Sequence, residues 1–198
     1  MPSILCITNR SLCTGDFLDR IDRIAQAQPA AVVLREKDLT PAEYRTLAEQ
    51  VLAICVKHQT PCILHRFVEV AQALGHDAIH LPLPVLRELP ETTRRAFRML
   101  GASCHSVDEA IEAQRLGCTY ITAGHVFETD CKHGVPGRGL DFLRSVCQAV
   151  RIPVWAIGGI TPERVPDVLQ AGAAGVCVMS ALMKCENPAA YLKKIDAI

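Results

Sequence analysis

The sequence has no excess of charge of either sign. Its 198 residues include 21 lysines plus arginines and 21 aspartates plus glutamates, which gives a formal net charge of zero at pH 7. Such a balance leaves no strongly basic footprint for nucleic acid or an anionic membrane. We therefore expect neither nucleic acid nor a membrane among the partners.

Long apolar runs are also lacking, since no segment approaches the ~20 consecutive apolar residues of a membrane span. The first residues, Met1-Pro2-Ser3, lead straight into a short strand-like run, without the charged region and apolar core of a signal peptide. These absences predict a cytoplasmic protein. The length fits one domain, which we place over residues 1–198.

The ten cysteines lack the Cys-x-x-Cys spacing of structural zinc sites. Several lie within apolar segments, such as Cys6 and Cys177, where cysteine acts as a small hydrophobe. Without an export signal, reduced thiols are expected.

A short apolar run, a turn and a helical pattern recur along the whole chain. The predicted helices have recognisable N-terminal signals. One is the threonine, proline and glutamate at 40–43, and similar signals occur at 106–109 and 161–164. Continuous apolar runs of this length are typical of parallel strands buried on both faces. The predicted strands are Ile4–Asn9, Ala31–Glu36, Cys62–His65, Ala78–Leu81, Leu100–His105, Tyr120–His125, Val154–Gly158 and Gly175–Met179.

Alternating strands and helices predict an α/β fold, either a (β/α)₈ TIM barrel or a doubly wound sheet. The latter more often has a Gly-x-Gly-x-x-Gly turn after its first strand, and 8–11 reads Thr-Asn-Arg-Ser instead. Polar residues recur where the predicted strands end, and barrel active sites lie at that face. We therefore predict the barrel.

The segments 156–162 and 178–181 follow predicted strands seven and eight, where barrels frequently bind phosphate. Gly158 and Gly159 would let main-chain N–H groups approach an anion, with Ser180 beside them. The alternative for the two glycines is a tight turn without a ligand. Together the segments favour a phosphate site.

His125 ends predicted strand six, before a polar, glycine-rich loop of the kind that closes over a site. An imidazole can take and return a proton near neutral pH. The alternative is a hydrogen-bonded structural histidine. Its place at a strand end beside this loop favours catalysis.

Strand alternation places Arg35 and Lys37 on one face, where two cations suit a phosphate or carboxylate. The spacing fits equally well with two solvated charges at an exposed strand end. His65, His80 and His105 also end strands, and three inward histidines would suggest a metal. Because the neighbouring carboxylate, Glu36, is directed away by the same alternation, we expect no metal and no other cofactor.

Several motifs resemble the thiamine phosphate synthase superfamily, and the similarity runs in order along nearly the whole chain. The motifs are Leu34–Lys37, His80–Leu81, Gly101–Ser106, Tyr120–Lys132, Ala156–Ile160 and Val178–Ala181. The resemblance implies a short (β/α)₈ barrel and one of two activities. Synthases join a pyrimidine diphosphate to a thiazole phosphate with Mg²⁺, whereas TenI-type tautomerases aromatise a carboxythiazole phosphate without a metal.

The chain departs from the synthase pattern where synthases hold magnesium. Val33 replaces a glutamine, His65-Arg66-Phe67 replaces Asn-Asp-Arg, and 82–85 lacks the second aspartate. Arginine and valine cannot supply the oxygen ligands that Mg²⁺ requires. These departures predict that synthase activity is lost.

The run 124–132 is similar to the tautomerase signature, which implies His125 as the proton-transfer residue. The resemblance therefore predicts a thiazole tautomerase, an isomerase, acting on a phosphorylated thiazole carboxylate. Gly158, Gly159 and Ser180 would hold the phosphate. Arg35, Lys37 or Lys132 would hold the carboxylate, and Ser103 would line the site. A synthase and a non-catalytic regulatory or ligand-binding protein remain the alternatives, and a homodimer or homotetramer is expected.

Overall fold

A computed structural model describes residues 3–129 and 134–197. Eight parallel strands form a closed barrel in chain order, each hydrogen-bonded to the next and β8 to β1. The predicted barrel is therefore confirmed, and each predicted strand overlaps an observed one. The strands are β1 (Ser3–Ile7), β2 (Ala31–Leu34), β3 (Cys62–His65), β4 (Ala78–Pro82), β5 (Met99–Cys104), β6 (Tyr120–Gly124), β7 (Val154–Ile157) and β8 (Gly175–Val178).

Strand alternation divides the buried side chains between two packed regions. Leu5, Val33 and Ile63 belong to the cluster inside the barrel, whereas Cys6 and Val32 pack outward with the helices. Both faces are apolar, as parallel sheets covered by helices require. Ligands of such barrels bind at the carboxyl ends of the strands, above the packed interior.

The helices surround the barrel, and some of their starts follow the predicted signals. Thr40 and Glu43 form the predicted capping box. Ser106 accepts from the Glu109 N–H, but the Glu109 carboxylate accepts from His105 instead of completing a box. The helices are α1 (Phe17–Gln26), α2 (Pro41–Lys57), α3 (Val68–Ala73), α4 (Leu83–Glu88), α5 (Glu91–Arg95), α6 (Val107–Arg115), α7 (Gly139–Ala149), α8 (Val165–Gln170), α9 (Ser180–Lys184) and α10 (Pro188–Asp196), with 3₁₀ turns at Arg10–Leu12 and Pro162–Arg164.

Cysteines in the described part of the chain are free thiols, and most of them are buried. Burial raises the pKa of the Cys104 and Cys118 thiols to about 12. Among the described helices, none has the length and apolar character needed to cross a membrane.

Candidate active site at the carboxyl ends of the strands

A cavity of about 480 Å³ opens at the carboxyl ends of the strands. Its wall includes predicted site residues from five strand ends: Arg35 and Lys37 after β2, Ser103 in β5, His125 after β6, Gly158 and Gly159 after β7, and Ser180 after β8. The fold therefore brings these residues to one cavity. Their chemical roles stay predictions. Lys132 lies outside the described residues.

Gly158 and Gly159 form a left-handed turn after β7, with φ angles of +102° and +64°. A Cβ on Gly158 would lie 2.3 Å from the His125 Cβ. Glycine is therefore required here both for backbone conformation and for close approach. The turn is fixed because the Phe127 N–H donates to the Gly158 carbonyl at 3.1 Å.

Arg35 and Lys37 follow β2, and both line the cavity. Glu36 between them is buried on the other side, as alternation predicted. Its carboxylate accepts from the Thr8 hydroxyl at 2.6 Å and from the Arg10 N–H at 3.0 Å. Burial raises the Glu36 pKa, against the lowering effect of these hydrogen bonds. The Thr8 hydroxyl also accepts from the Arg35 N–H at 2.9 Å, so this network fixes the main chain that carries the cation.

His125 lines the cavity but is buried. Its Nε2 lies 3.1 Å from the Val135 carbonyl oxygen, which can only accept, so Nε2 carries the proton and donates. Within the described residues, the buried Nδ1 has no hydrogen-bond partner. The ring therefore ties the end of β6 to the segment before α7, and its role in proton transfer stays a prediction.

His105 presents the opposite ring arrangement at the end of β5. Its Nδ1 lies 2.8 Å from the Gly124 carbonyl oxygen and therefore donates to it. In the neutral ring Nε2 is then the acceptor, and His105 lines the cavity. The sequence identified this histidine at a strand end but gave no sign of its tautomer.

The cavity floor contains a polar network that the sequence revealed only in part. Ser103 was predicted to line the site, whereas Thr122 was not, because strand alternation alone does not distinguish an inward threonine from an ordinary strand residue. Beneath Ser103 lies His80, which contacts the Tyr120 hydroxyl. Burial lowers the pKa of His80 to about 3, with a smaller contribution from Arg35, so the ring is neutral near pH 7.

His65 is a second neutral imidazole in the cavity wall. Burial first, and then nearby His80 and the cations Arg35, Lys37 and Arg66, lower its pKa to about 2. The His65 and His80 rings stack with centroids 6.0 Å apart. Because neither ring is charged near neutral pH, the floor offers hydrogen bonds without net charge.

The residues present do not fit a magnesium ion. Arg66, directly after β3, and Val85, in α4 after β4, occupy the two positions where the resemblance implies magnesium-binding aspartates. Glu109 is the carboxylate among the described residues of the cavity wall, and it accepts from the His105 N–H. No cluster of three or more candidate metal-binding side chains occurs in residues 3–129 and 134–197. Mg²⁺ prefers carboxylate oxygens, and this wall presents cations and imidazoles.

The closed parallel barrel, with its cavity at the carboxyl ends of the strands, places the chain in the class of (β/α)₈ barrel proteins. A sequence profile described as thiamine monophosphate synthase matches residues 4–182. The chain belongs to this family.

Named relatives cover nearly the full chain. A thiamine-phosphate synthase 2 of Streptococcus pneumoniae (serotype 4) is 34% identical, over 97% of this chain and 94% of the relative. A thiamine-phosphate synthase of Methanobrevibacter smithii is 32% identical, over 94% of this chain and 90% of the relative. The solved structure of a thiamine phosphate pyrophosphorylase from Pyrococcus furiosus has a TM-score of 0.84 and 28% identity, covering 98% of this chain and 94% of that one.

These comparisons overturn the predicted activity. The similar curated proteins are named synthases, which are transferases, so the prediction of a thiazole tautomerase, an isomerase, is wrong. That prediction came from the resemblance of 124–132 to the tautomerase signature and from the missing magnesium aspartates, and the relatives favour the synthase that was its alternative. The wider prediction, membership of the superfamily and a part in thiamine biosynthesis, is confirmed.

Proposed function

We propose that the chain is a transferase that joins a pyrimidine diphosphate to a thiazole phosphate, forming thiamine phosphate and releasing diphosphate. One observation carries the proposal: a single cavity lined both by the Gly158–Gly159 turn with Ser180 and by the cations Arg35 and Lys37, in a chain whose full-length relatives are named thiamine-phosphate synthases. Both reactants are anionic, so such a reaction needs two sites for phosphate groups at once.

The two groups of lining residues follow different strands. Gly158, Gly159 and Ser180 follow β7 and β8, and Arg35 and Lys37 follow β2, with β1 between the two groups. The glycine turn offers main-chain N–H groups and a hydroxyl, which suit a phosphate monoester. The two cations suit the more highly charged diphosphate.

In the reaction, a carbon–nitrogen bond forms to the thiazole as the carbon–oxygen bond to the diphosphate breaks. The bonding electron pair leaves with the diphosphate oxygen, where negative charge develops. Arg35 and Lys37 would stabilise that charge directly, since the described residues of the wall include no aspartate that could hold magnesium. Lys132 stays a predicted further cation, outside the described residues.

The test is product formation from the two phosphorylated precursors, followed by chromatography with mass detection, at several Mg²⁺ concentrations and with a chelator. We expect thiamine phosphate from the wild type, and a fall of about a hundredfold or more in kcat/KM for Arg35→Gln. Arg45→Gln is the matched control, because Arg45 lies on α2 in an exposed ion pair with Glu49. Absence of product at every Mg²⁺ concentration would refute the transferase.

A second candidate is a ligand-binding protein without turnover, which the missing magnesium aspartates favour. It requires the same phosphate sites but no chemistry. Calorimetry with thiamine phosphate, in parallel with the turnover assay, separates the two candidates. Binding without product selects the second.

Three further properties stay predictions. These are the single domain over 1–198, the cytoplasmic location, and the homodimer or homotetramer. Sedimentation equilibrium tests the oligomeric state.

A further inference from the structure

Three polar side chains form a chain of contacts from the barrel interior to the cavity. His80 Nδ1 lies 3.0 Å from the Tyr120 hydroxyl oxygen, and His80 Nε2 lies 2.8 Å from the Ser103 Oγ. His80 and Tyr120 are buried, whereas Ser103 reaches the cavity wall. We call these residues the Tyr120–His80–Ser103 relay.

We propose that Tyr120 and His80 are positioning residues that orient the Ser103 hydroxyl as a hydrogen-bond donor into the cavity, so that Ser103 selects a substrate with an acceptor atom at that point. The acceptor is a ring nitrogen or an oxygen of the heterocycle. Contact with substrate rests on the proposed function, but the orientation of the relay does not.

The direction of hydrogen-bond donation along the relay follows from the hydrogen-bonding needs of the Tyr120 hydroxyl. A neutral imidazole donates at one nitrogen and accepts at the other, so two arrangements are open. If His80 Nδ1 donated to Tyr120, the buried tyrosine O–H would have no acceptor among residues 3–129 and 134–197. Leaving a buried donor unpaired costs free energy. Tyr120 therefore donates to Nδ1, and His80 Nε2 carries the ring proton.

The same direction of hydrogen-bond donation fixes the orientation of the Ser103 hydroxyl. His80 Nε2–H donates to Ser103 Oγ, and the Thr122 hydroxyl is positioned to donate weakly to the same oxygen at 3.5 Å. Both lone pairs of Oγ are then used, so the serine proton is directed away from the network. Since Ser103 lines the cavity, that proton faces the ligand.

The relay depends on the register of the paired strands β4, β5 and β6. His80 pairs with Gly101, Gly101 pairs with Tyr120, and a Cβ on Gly101 would lie 2.2 Å from the Tyr120 Cζ. Only glycine leaves room for the tyrosine ring to cross β5 and reach the imidazole. The other face of Tyr120 is supported by Trp155, which contacts it edge to face with ring centroids 5.5 Å apart.

The burial of His80 keeps the relay in one protonation state. Its pKa of about 3 means that the ring stays neutral well below physiological pH. The donor at Ser103 is therefore constant across the working range of the protein.

The first test measures the His80 tautomer in ¹⁵N-labelled protein, using the ring nitrogen resonances and His80→Gln for assignment. We expect a protonated Nε2 and an unprotonated Nδ1 in the wild type. Tyr120→Phe should remove this preference, whereas Tyr44→Phe should preserve it. Tyr44 is the matched control because its hydroxyl is also buried but donates to the Leu34 carbonyl. A protonated Nδ1 in the wild type would overturn the proposal.

The second test measures the dissociation constant of thiamine phosphate by calorimetry. We expect Ser103→Ala to raise it about tenfold and Tyr120→Phe to raise it less. Unchanged affinity in Ser103→Ala would overturn the donor role of the serine. If the wild type failed to bind thiamine phosphate, the proposed function would fail, and the nitrogen resonances would still decide the relay.

Discussion

A Cβ on Gly159 would lie 2.4 Å from the main-chain oxygen of Glu128. The turn after β7 and the segment after β6 therefore pack without space for a side chain. This contact holds the predicted phosphate turn in place, and His125 ties the same segment to Val135 from the other side.

Gly159→Ala should destabilise the protein more than Gly75→Ala. The two glycines have nearly equal φ angles, +64° and +62°, but a Cβ on Gly75 would have no neighbour within 4 Å. The left-handed backbone should cost about 1–2 kcal/mol at either position, and overpacking should add about 1–3 kcal/mol at Gly159 alone. Urea unfolding measures both differences.

Affinity for inorganic phosphate provides a second measurement on the same pair. Gly159→Ala should weaken phosphate binding, and Gly75→Ala should leave it unchanged because Gly75 lies at the end of α3, away from the cavity wall. Equal loss of stability in the two variants would show that the close approach to Glu128 is absent.

The buried imidazoles predict a loss of stability in mild acid. Native pKa values of about 2 for His65 and about 3 for His80 lie below the ordinary value of 6.5. The unfolded chain therefore binds more protons below pH 6.5, and stability falls as pH decreases from there toward the native values. At pH 5 each histidine should reduce the free energy of unfolding by about 2 kcal/mol.

Denaturant unfolding between pH 7 and pH 5 measures the slope of the free energy of unfolding against pH. His65→Gln should make the slope shallower than in the wild type. His76→Gln is the comparison, since His76 lies outside the barrel interior and contacts the Cys62 carbonyl. If the slope is the same in His65→Gln and the wild type, the claim that the His65 imidazole is neutral and buried in the folded protein is contradicted.

Thr8→Val should lower stability by about 1–3 kcal/mol, because it leaves the Arg35 N–H without its acceptor and removes one of the hydrogen bonds to the buried Glu36 carboxylate, which keeps the Arg10 N–H as a donor. Thr8→Ser keeps the hydroxyl and should recover most of the loss. The folded-state pKa of Glu36 is raised, so the folded state loses stability relative to the unfolded chain as pH rises from the ordinary carboxyl pKa to that raised value. The Thr8 hydrogen bond reduces this loss because it stabilises the ionised carboxylate. The difference between Thr8→Val and the wild type should therefore be larger at pH 7 than at pH 4.

Thermal unfolding at the two pH values, together with the KM for the phosphorylated precursors, checks this prediction. A Thr8→Ser variant as unstable as Thr8→Val would indicate that side-chain volume, and not the hydroxyl, matters at this position.

The strands were predictable because each buries an apolar run such as Ala31–Leu34, and the capping box at Thr40 is a local pattern. The residues predicted to bind anions could be placed in one cavity because strand ends meet at one face of a barrel. Such inferences need only periodicity and chain order.

The relay could not be predicted in the same way. Tyr120 and His80 are 40 residues apart, and their contact depends on the register of β4, β5 and β6. The position of Glu109 was also unpredictable, because its carboxylate accepts from His105 and not from the expected N-cap. Hydrogen-bond direction and ring tautomers arise from tertiary contacts that sequence spacing does not encode.

The activity itself is the most direct test of the central claim. In a single-turnover experiment, the protein is held in excess over the pyrimidine diphosphate, with thiazole phosphate present, and the quenched mixture is analysed for both products. We predict equal amounts of thiamine phosphate and diphosphate, formed at a rate that falls at least about a hundredfold in Arg35→Gln. Binding of both precursors with neither product formed would contradict the account and identify a ligand-binding protein instead.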